Sequence, residues 1–264
     1  MERQSVSGEI GIFSPQNESE TPLSPDLSLT IDTVKHLTSL NYIRVDPISP
    51  RDSFVVEEEG VPYYVTRVQY FANLGLSLEE TKANIQALSI AFRDRTWPPL
   101  WRAGWMETIR SLWQNIALYE CLQYLIYLGQ ERDFEMPQGD KTKAVLTDAL
   151  SDHPTSVVYQ FIWSAVVRAS DYYQANDVSK KQAANSIVGS IQRNLEKVRL
   201  GAWNPRPYGR YKSFRPSALY ETLFNHVLQI GDDGFNKTFN SCLQHLSWID
   251  EHPSKTDHIG DTLE

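Results

Sequence analysis

Ser179 to Phe235 is the stretch that most constrains this chain, because a helix marked at both ends runs directly into a loop stiffened by two prolines. Ser179-Lys180-Lys181-Gln182 is a capping box, in which the serine side chain meets an amide three residues on and the glutamine reaches back. Val178 is placed to act as a hydrophobic staple. Behind the box, Ala184, Ile187, Val188, Ile191, Leu195 and Val198 recur at helical spacing, while Gln182, Ser186, Ser190, Arg193 and Lys197 fall on the opposite face. Gly201 supplies the left-handed stop. Such a helix docks through its apolar face and leaves Arg193 and Lys197 toward solvent. Gly189, on the polar side, costs about 1 kcal/mol of helix propensity, and a missing side chain there suits close approach by a partner.

The loop from Ala202 to Phe214 is held semi-extended by Pro205 and Pro207, which lowers the entropy lost when it is fixed. Pro216 suits the first turn of a following helix with Leu219, Leu223, Val227 and Ile230 inward, ended by Gly231. Asp232-Asp233-Gly234 reads as a turn, and Asn236 or Thr238 starts a last helix through Phe239, Cys242 and Leu246.

Charge sets this stretch apart. Lys180 to Arg215 holds nine basic residues against one acid, Glu196, a local charge of +8 in a chain of net −8. Trp203, Tyr208, Tyr211 and Phe214 are interleaved with the cations. Arginine and lysine beside aromatics is the composition that neutralises phosphates and stacks bases. An acidic chain does not coat nucleic acid over its whole surface, but screening lets the local sign decide at close range. The competing reading is a basic face matched to acids of the same chain or of a neighbour, such as Glu57-Glu58-Glu59 or Glu131 to Glu135.

Elsewhere the chain reads as follows. Residues 1–28 are polar, acidic and rich in Ser, Pro and Glu, and are expected to form a disordered leader, with a disordered tail over 253–264. Residues 29–96 form a small α+β head. It holds a helix over Ser28–Leu40, a strand over Tyr42–Val45, and a hairpin of Phe54–Val56 with Val61–Val65, whose Pro62 belongs on an edge. Ser77-Leu78-Glu79-Glu80 is a second capping box, opening a helix that runs to Phe92. Residues 97–252 form a helical domain. After the Trp97-Pro98-Pro99 break, Trp101, Trp105, Ile109, Leu112, Trp113, Ile116, Tyr119 and Leu122 trace a long apolar stripe, which is core packing rather than a ligand cage. An acidic loop, a helix over Lys141–Leu150 and another after Pro154 follow.

Catalytic signatures are missing. The chain has no glycine-rich phosphate loop, no paired-cysteine metal spacing, no His-Glu-x-x-His and no nucleophile elbow. Cys121 and Cys242 sit in apolar helical patterns as buried free thiols, which suit a reducing compartment. His226 with Asp232 or Asp233 is the nearest approach to an acid–base or metal pair, and Asp52, Glu57 and Glu59 lie around a strand as nuclease carboxylates can, but no lysine follows at useful spacing. No apolar run approaches the roughly 18 residues that span a bilayer.

The run Tyr70-Phe71-Ala72-Asn73-Leu74-Gly75-Leu76-Ser77-Leu78-Glu79-Glu80 resembles the second half of the MerR-type DNA-binding module, where a similar run opens a helix. Arg193-Asn194 lacks the histidine that the HEPN ribonuclease pattern places four to six residues on. The segment Val178 to Asn236, with its Ser-Lys-Lys-Gln-Ala-Ala-Asn opening and Asp-Asp-Gly-Phe-Asn close, resembles uncharacterised bacterial proteins. That resemblance implies a bacterial, phage or mobile-element origin and no particular activity.

The expectation is a mainly α, multi-helix globular bundle with a small N-terminal α+β head, cytoplasmic, without cofactor or metal, and with no membrane partner. Its function is non-enzymatic binding of nucleic acid or another polyanion through 180–215. Arg193 and Lys197 would meet phosphate from the helix, Arg206, Arg210, Lys212 and Arg215 from the loop, and Trp203, Tyr208 and Tyr211 would stack. The alternatives are an adaptor or self-associating subunit whose basic segment meets an acidic surface, and a metal-dependent nuclease using His226 and Asp233.

Overall fold

A computed structural model describes residues 12–13, 21–57, 61–94 and 99–243 of the 264-residue chain. The expected tail and the residues from His245 onward lie outside the described residues, as do Trp97, Glu58 and Glu59. The architecture is a multi-helix bundle with a small α+β head, as the sequence pattern requires.

The head begins within the stretch read as a leader. Strand β1 (Ile12–Phe13) pairs antiparallel with β3 (Tyr70–Ala72), which pairs on its other side with β2 (Ile43–Val45), so the order is β1-β3-β2. The hairpin expected between Phe54 and Val65 is compact: one bridge, Phe54 with Tyr63, flanked by hydrogen bonds from the Val55 amide to the Pro62 carbonyl and from the Tyr64 amide to the Ser53 carbonyl. Helix α1 (Leu27–Ser39) starts where Asp26 accepts the Ser28 amide at 2.7 Å. It joins two cores: Val34 packs with Ile43, Val68 and Tyr70 in the head, while Leu29 belongs to the main core. Backbone bonds add a second tie, because the carbonyls of Pro22 and Leu23 accept the amides of Ala218 and Leu219.

Helix α2 (Leu78–Asp94) is opened by Ser77, whose Oγ accepts the Glu80 amide at 3.1 Å, while the Glu80 carboxylate reaches the Leu76 amide. The apolar stripe becomes the long helix α3 (Pro99–Gln130), with Ile109, Trp113, Ile116, Leu122 and Leu125 all buried. Two shorter helices follow, α4 (Asp140–Asp152) and α5 (Thr155–Ala175). Helix α6 (Lys180–Arg199) carries the capping box in full: Ser179 Oγ accepts the Gln182 amide and the Gln182 side chain accepts the Ser179 amide at 2.9 Å. α5 lies between α3 and α6, and α4 touches all three. Gly201, at φ 70°, closes α6 with the Ala202 amide turned back to the Lys197 carbonyl at 2.8 Å.

Two expectations change. Ser190 is buried, because its Oγ bonds back to the Ser186 carbonyl and accepts from Arg193, so it needs no solvent. At Gly189 a Cβ would meet only Arg193 Nη1, at 3.5 Å, so the surface there is open. The next helix starts two residues later than Pro216 suggests, with Ser217 as cap. It consists of α7 (Ala218–Tyr220), which runs into a π-helical segment (Glu221–Val227). The Asp232-Asp233-Gly234 turn opens the single turn α8 (Asp233–Asn236), and α9 (Phe239–Leu243) follows. Gly234 allows α8 to lie against Phe224, where a Cβ would fall 2.3 Å from the ring. Among the described residues, no helix is long and apolar enough to cross a membrane.

These two glycines give opposite expectations. Gly189→Ala should stabilise the protein by about 0.5–1 kcal/mol, since it gains helix propensity without a clash. Gly234→Ala should cost about 1–3 kcal/mol by overpacking. Urea unfolding of both variants checks the signs.

Candidate polyanion interface

The nine cations of 180–215 separate into two groups. One group is internal. Lys180 pairs with Asp133 in the α3–α4 loop, and Arg199 holds Asp148 Oδ1 at 2.8 Å and Asp152 Oδ2 at 2.6 Å on α4. These bonds hold the Asp133 and Asp152 carboxyls below their ordinary range and raise the two cations. All three pairs are exposed, so they orient the ends of α6 rather than anchor it.

Arg210 is the third internal cation, and here the structure departs from the expected phosphate contact. Its Nη2 donates to Glu120 Oε1 at 3.0 Å, and its side chain is 13% exposed against 6% for Glu120. The guanidinium lies 4.3 Å from the Tyr220 ring and 4.5 Å from the Phe235 ring, with Asp232 Oδ1 at 3.8 Å. Its Nε is buried without a hydrogen-bond partner. A cation seated between two rings and bonded to a buried carboxylate cannot also face a phosphate. Glu120 sits in the middle of α3, and the Tyr159 hydroxyl donates to its carbonyl at 3.2 Å. Burial pushes the Glu120 carboxyl up to about 7, against the pull of the Arg210 charge and hydrogen bond. Glu120 was missed in the sequence although it left a signal: it is the one charged residue between Arg110 and Glu131.

The aromatic residues follow Arg210 inward. Trp203 packs on Phe161 at 5.4 Å and Tyr208 on Trp163 at 5.8 Å, both against the main core. The Tyr208 amide donates to the Ser156 carbonyl at 2.8 Å. Tyr211 meets Tyr127 ring to ring at 4.5 Å and hydroxyl to hydroxyl at 2.6 Å, with Phe214 edge-on to Tyr127. The rings therefore fasten the loop to α3 and α5, and of the three expected to stack, Tyr211 is the one left exposed.

The second group faces solvent. Lys181 is exposed in the first turn of α6, Arg193 and Lys197 are exposed one turn apart further along it, and Arg206, Lys212 and Arg215 are exposed along the loop. The His226 reading finds no support: Asp233 holds Lys237 at 2.8 Å, Asp232 faces Arg210, and no cluster of three metal-ligating side chains occurs among the described residues. Both cysteines are free and buried, and burial raises their thiols above the ordinary range.

No protein-family model, curated protein or solved structure matches this chain.

Removing Arg210 strands a buried carboxylate, so Arg210→Ala should cost about 3–5 kcal/mol. The loss should be larger at pH 8 than at pH 5. Without the cation the folded state holds the Glu120 proton still more tightly than the unfolded chain does, so stability rises as pH falls. In the wild type the raised carboxyl acts with the same sign. Its contribution is complete below the ordinary carboxylate range and fades as pH climbs through about 7. Denaturant melts of both proteins across this range, with Glu120→Gln as the non-titrating control, measure the effect.

Proposed function

We propose that the protein is a non-enzymatic binding protein that associates with nucleic acid through the solvent face of α6 and the loop that follows it. The observation that carries this reading is the exposure of Arg193 and Lys197 on one helix face, continued in the chain by exposed Arg206, Lys212 and Arg215. The loop is already fastened by aromatic packing and by Arg210, so little ordering entropy opposes contact. Tyr211, partly exposed beside Lys212, is the ring available for a base. With Arg210 taken up internally, the contact set is smaller than the composition suggests, and binding should be of modest affinity.

A second reading rests on charge. A strongly acidic remainder and a basic exposed strip on one chain are complementary, which favours association with an acidic protein surface or a second copy.

The test is binding to labelled single- and double-stranded DNA and RNA across a salt series. Binding should weaken linearly on a log–log plot, and Arg193→Ala/Lys197→Ala/Arg206→Ala should reduce the slope by about three units. An unchanged slope in this variant, or no binding at low salt, overturns the proposal. Salt-sensitive self-association under the same conditions would then favour the second reading.

A further inference from the structure

A separate cationic feature lies where the α4–α5 junction meets α3 and the start of α9. A cavity of about 170 Å³ opens there, and its lining includes Arg110 from α3, His153 and Thr155 from the junction, and Lys237, Thr238 and Asn240 beside α9. Its described lining contains no carboxylate. Arg110 lies 4.9 Å over the Phe239 ring and makes no ion pair among the described residues. Lys237 is paired with Asp233 at 2.8 Å, and Asp233 is not among the lining residues. His153 Nε2 is buried and has no hydrogen-bond partner.

The junction adds a second source of positive potential. The 21-residue helix α5 begins at Thr155 with Pro154 at its cap position and no side chain bonded to its first amides. Those amides and the helix dipole favour negative charge near the helix start. Size restricts the occupant, because drug-sized ligands take sites of about 300 Å³ or more. Hydroxyl and amide groups from Thr155, Thr238 and Asn240 stand among the cations, which suits a compact anion with several acceptor oxygens.

We propose that this cavity binds a small phosphate-class oxyanion, either inorganic phosphate or the phosphate group of a small ester. The ligand would bridge Arg110 and Lys237 and complete the open first turn of α5. This site is independent of the basic face of α6: it shares no residue with that face, and neither proposal requires the other.

Calorimetric titration tests it with inorganic phosphate, glycerol 3-phosphate and acetate, each at ionic strength matched with sodium chloride. Saturable one-site binding of either phosphate compound, and not of acetate, is expected. Tighter binding of glycerol 3-phosphate assigns the site to a phosphate ester, and equal or tighter binding of inorganic phosphate assigns it to the free anion. Lys237→Met should weaken binding roughly ten- to a hundredfold, as loss of a charge-assisted bond does, and Lys237→Arg should retain most of it. Lys237 is partly exposed, so Lys237→Met tests the site even if an Arg110→Gln variant fails to fold. Arg193→Ala/Lys197→Ala/Arg206→Ala should bind phosphate normally. No saturable signal above chloride, unchanged affinity in Lys237→Met, or loss of binding only in the α6 and loop variant overturns the proposal.

Discussion

A carboxylate in the middle of an apolar helix needs a partner, and in this fold the partner is ninety residues away. Glu120 lies on the buried side of α3, where an unpaired charge would cost several kcal/mol. Arg210 answers it, and the path of the loop follows. To bring its guanidinium between Tyr220 and Phe235, the loop must cross from the end of α6 over α5 to α3. That crossing lays Trp203 on Phe161, Tyr208 on Trp163 and Tyr211 on Tyr127 along the way. Pro205 and Pro207 reduce the conformational freedom that this path removes. The pair also joins early and late parts of the chain, because Tyr220 and Phe235 belong to the C-terminal elements that close the core.

The same residue types meet different fates in the basic segment because position decides what each can reach. Lys180 and Arg199 stand at the two ends of α6, within reach of acids in the α3–α4 loop and on α4. Arg199 is met by two carboxylates from α4, which fixes the end of one helix against its neighbour. Arg193 and Lys197 lie on the face turned away from α4 and α5, where no described acid approaches within ion-pair distance. The segment thus serves first to assemble the fold, and the solvent-facing remainder is what the proposed function can use.

Much of the fold was legible because its signals are local. Caps and stops placed α6 closely: the Ser179 box and Gly201 each act within a few residues. The α3 stripe was legible for the same reason, since helical spacing of large apolar residues has one economical outcome, burial. The sheet was less so. β3 is three residues long and pairs with β1, almost sixty residues earlier, so no local pattern announces it. The candidate site fared as long-range features do. Composition identified the cations, yet which of them would turn inward depended on Glu120. Its lone position between Arg110 and Glu131 marked it as an acid in need of a partner, without naming which one. Ser190 went astray for a smaller reason: a serine bonding back to its own helix can be buried at little cost, which periodicity alone does not register.

The chain's overall sign bears on how the proposed contact would form. Beyond a Debye length, roughly 8 Å at physiological salt, the net charge of −8 is largely screened, and what remains of it offers a polyanion no attraction. Only close in does the α6 face outweigh the remainder, and even there Lys180, Arg199 and Arg210 are already balanced by Asp133, Asp148, Asp152 and Glu120. Long-range steering, which speeds association for wholly basic proteins, is therefore missing here. What remains is a short-range attraction that rewards a ligand shaped to touch Arg193, Lys197 and the loop together. A surface built this way discriminates by local fit rather than by gathering polyanions at large.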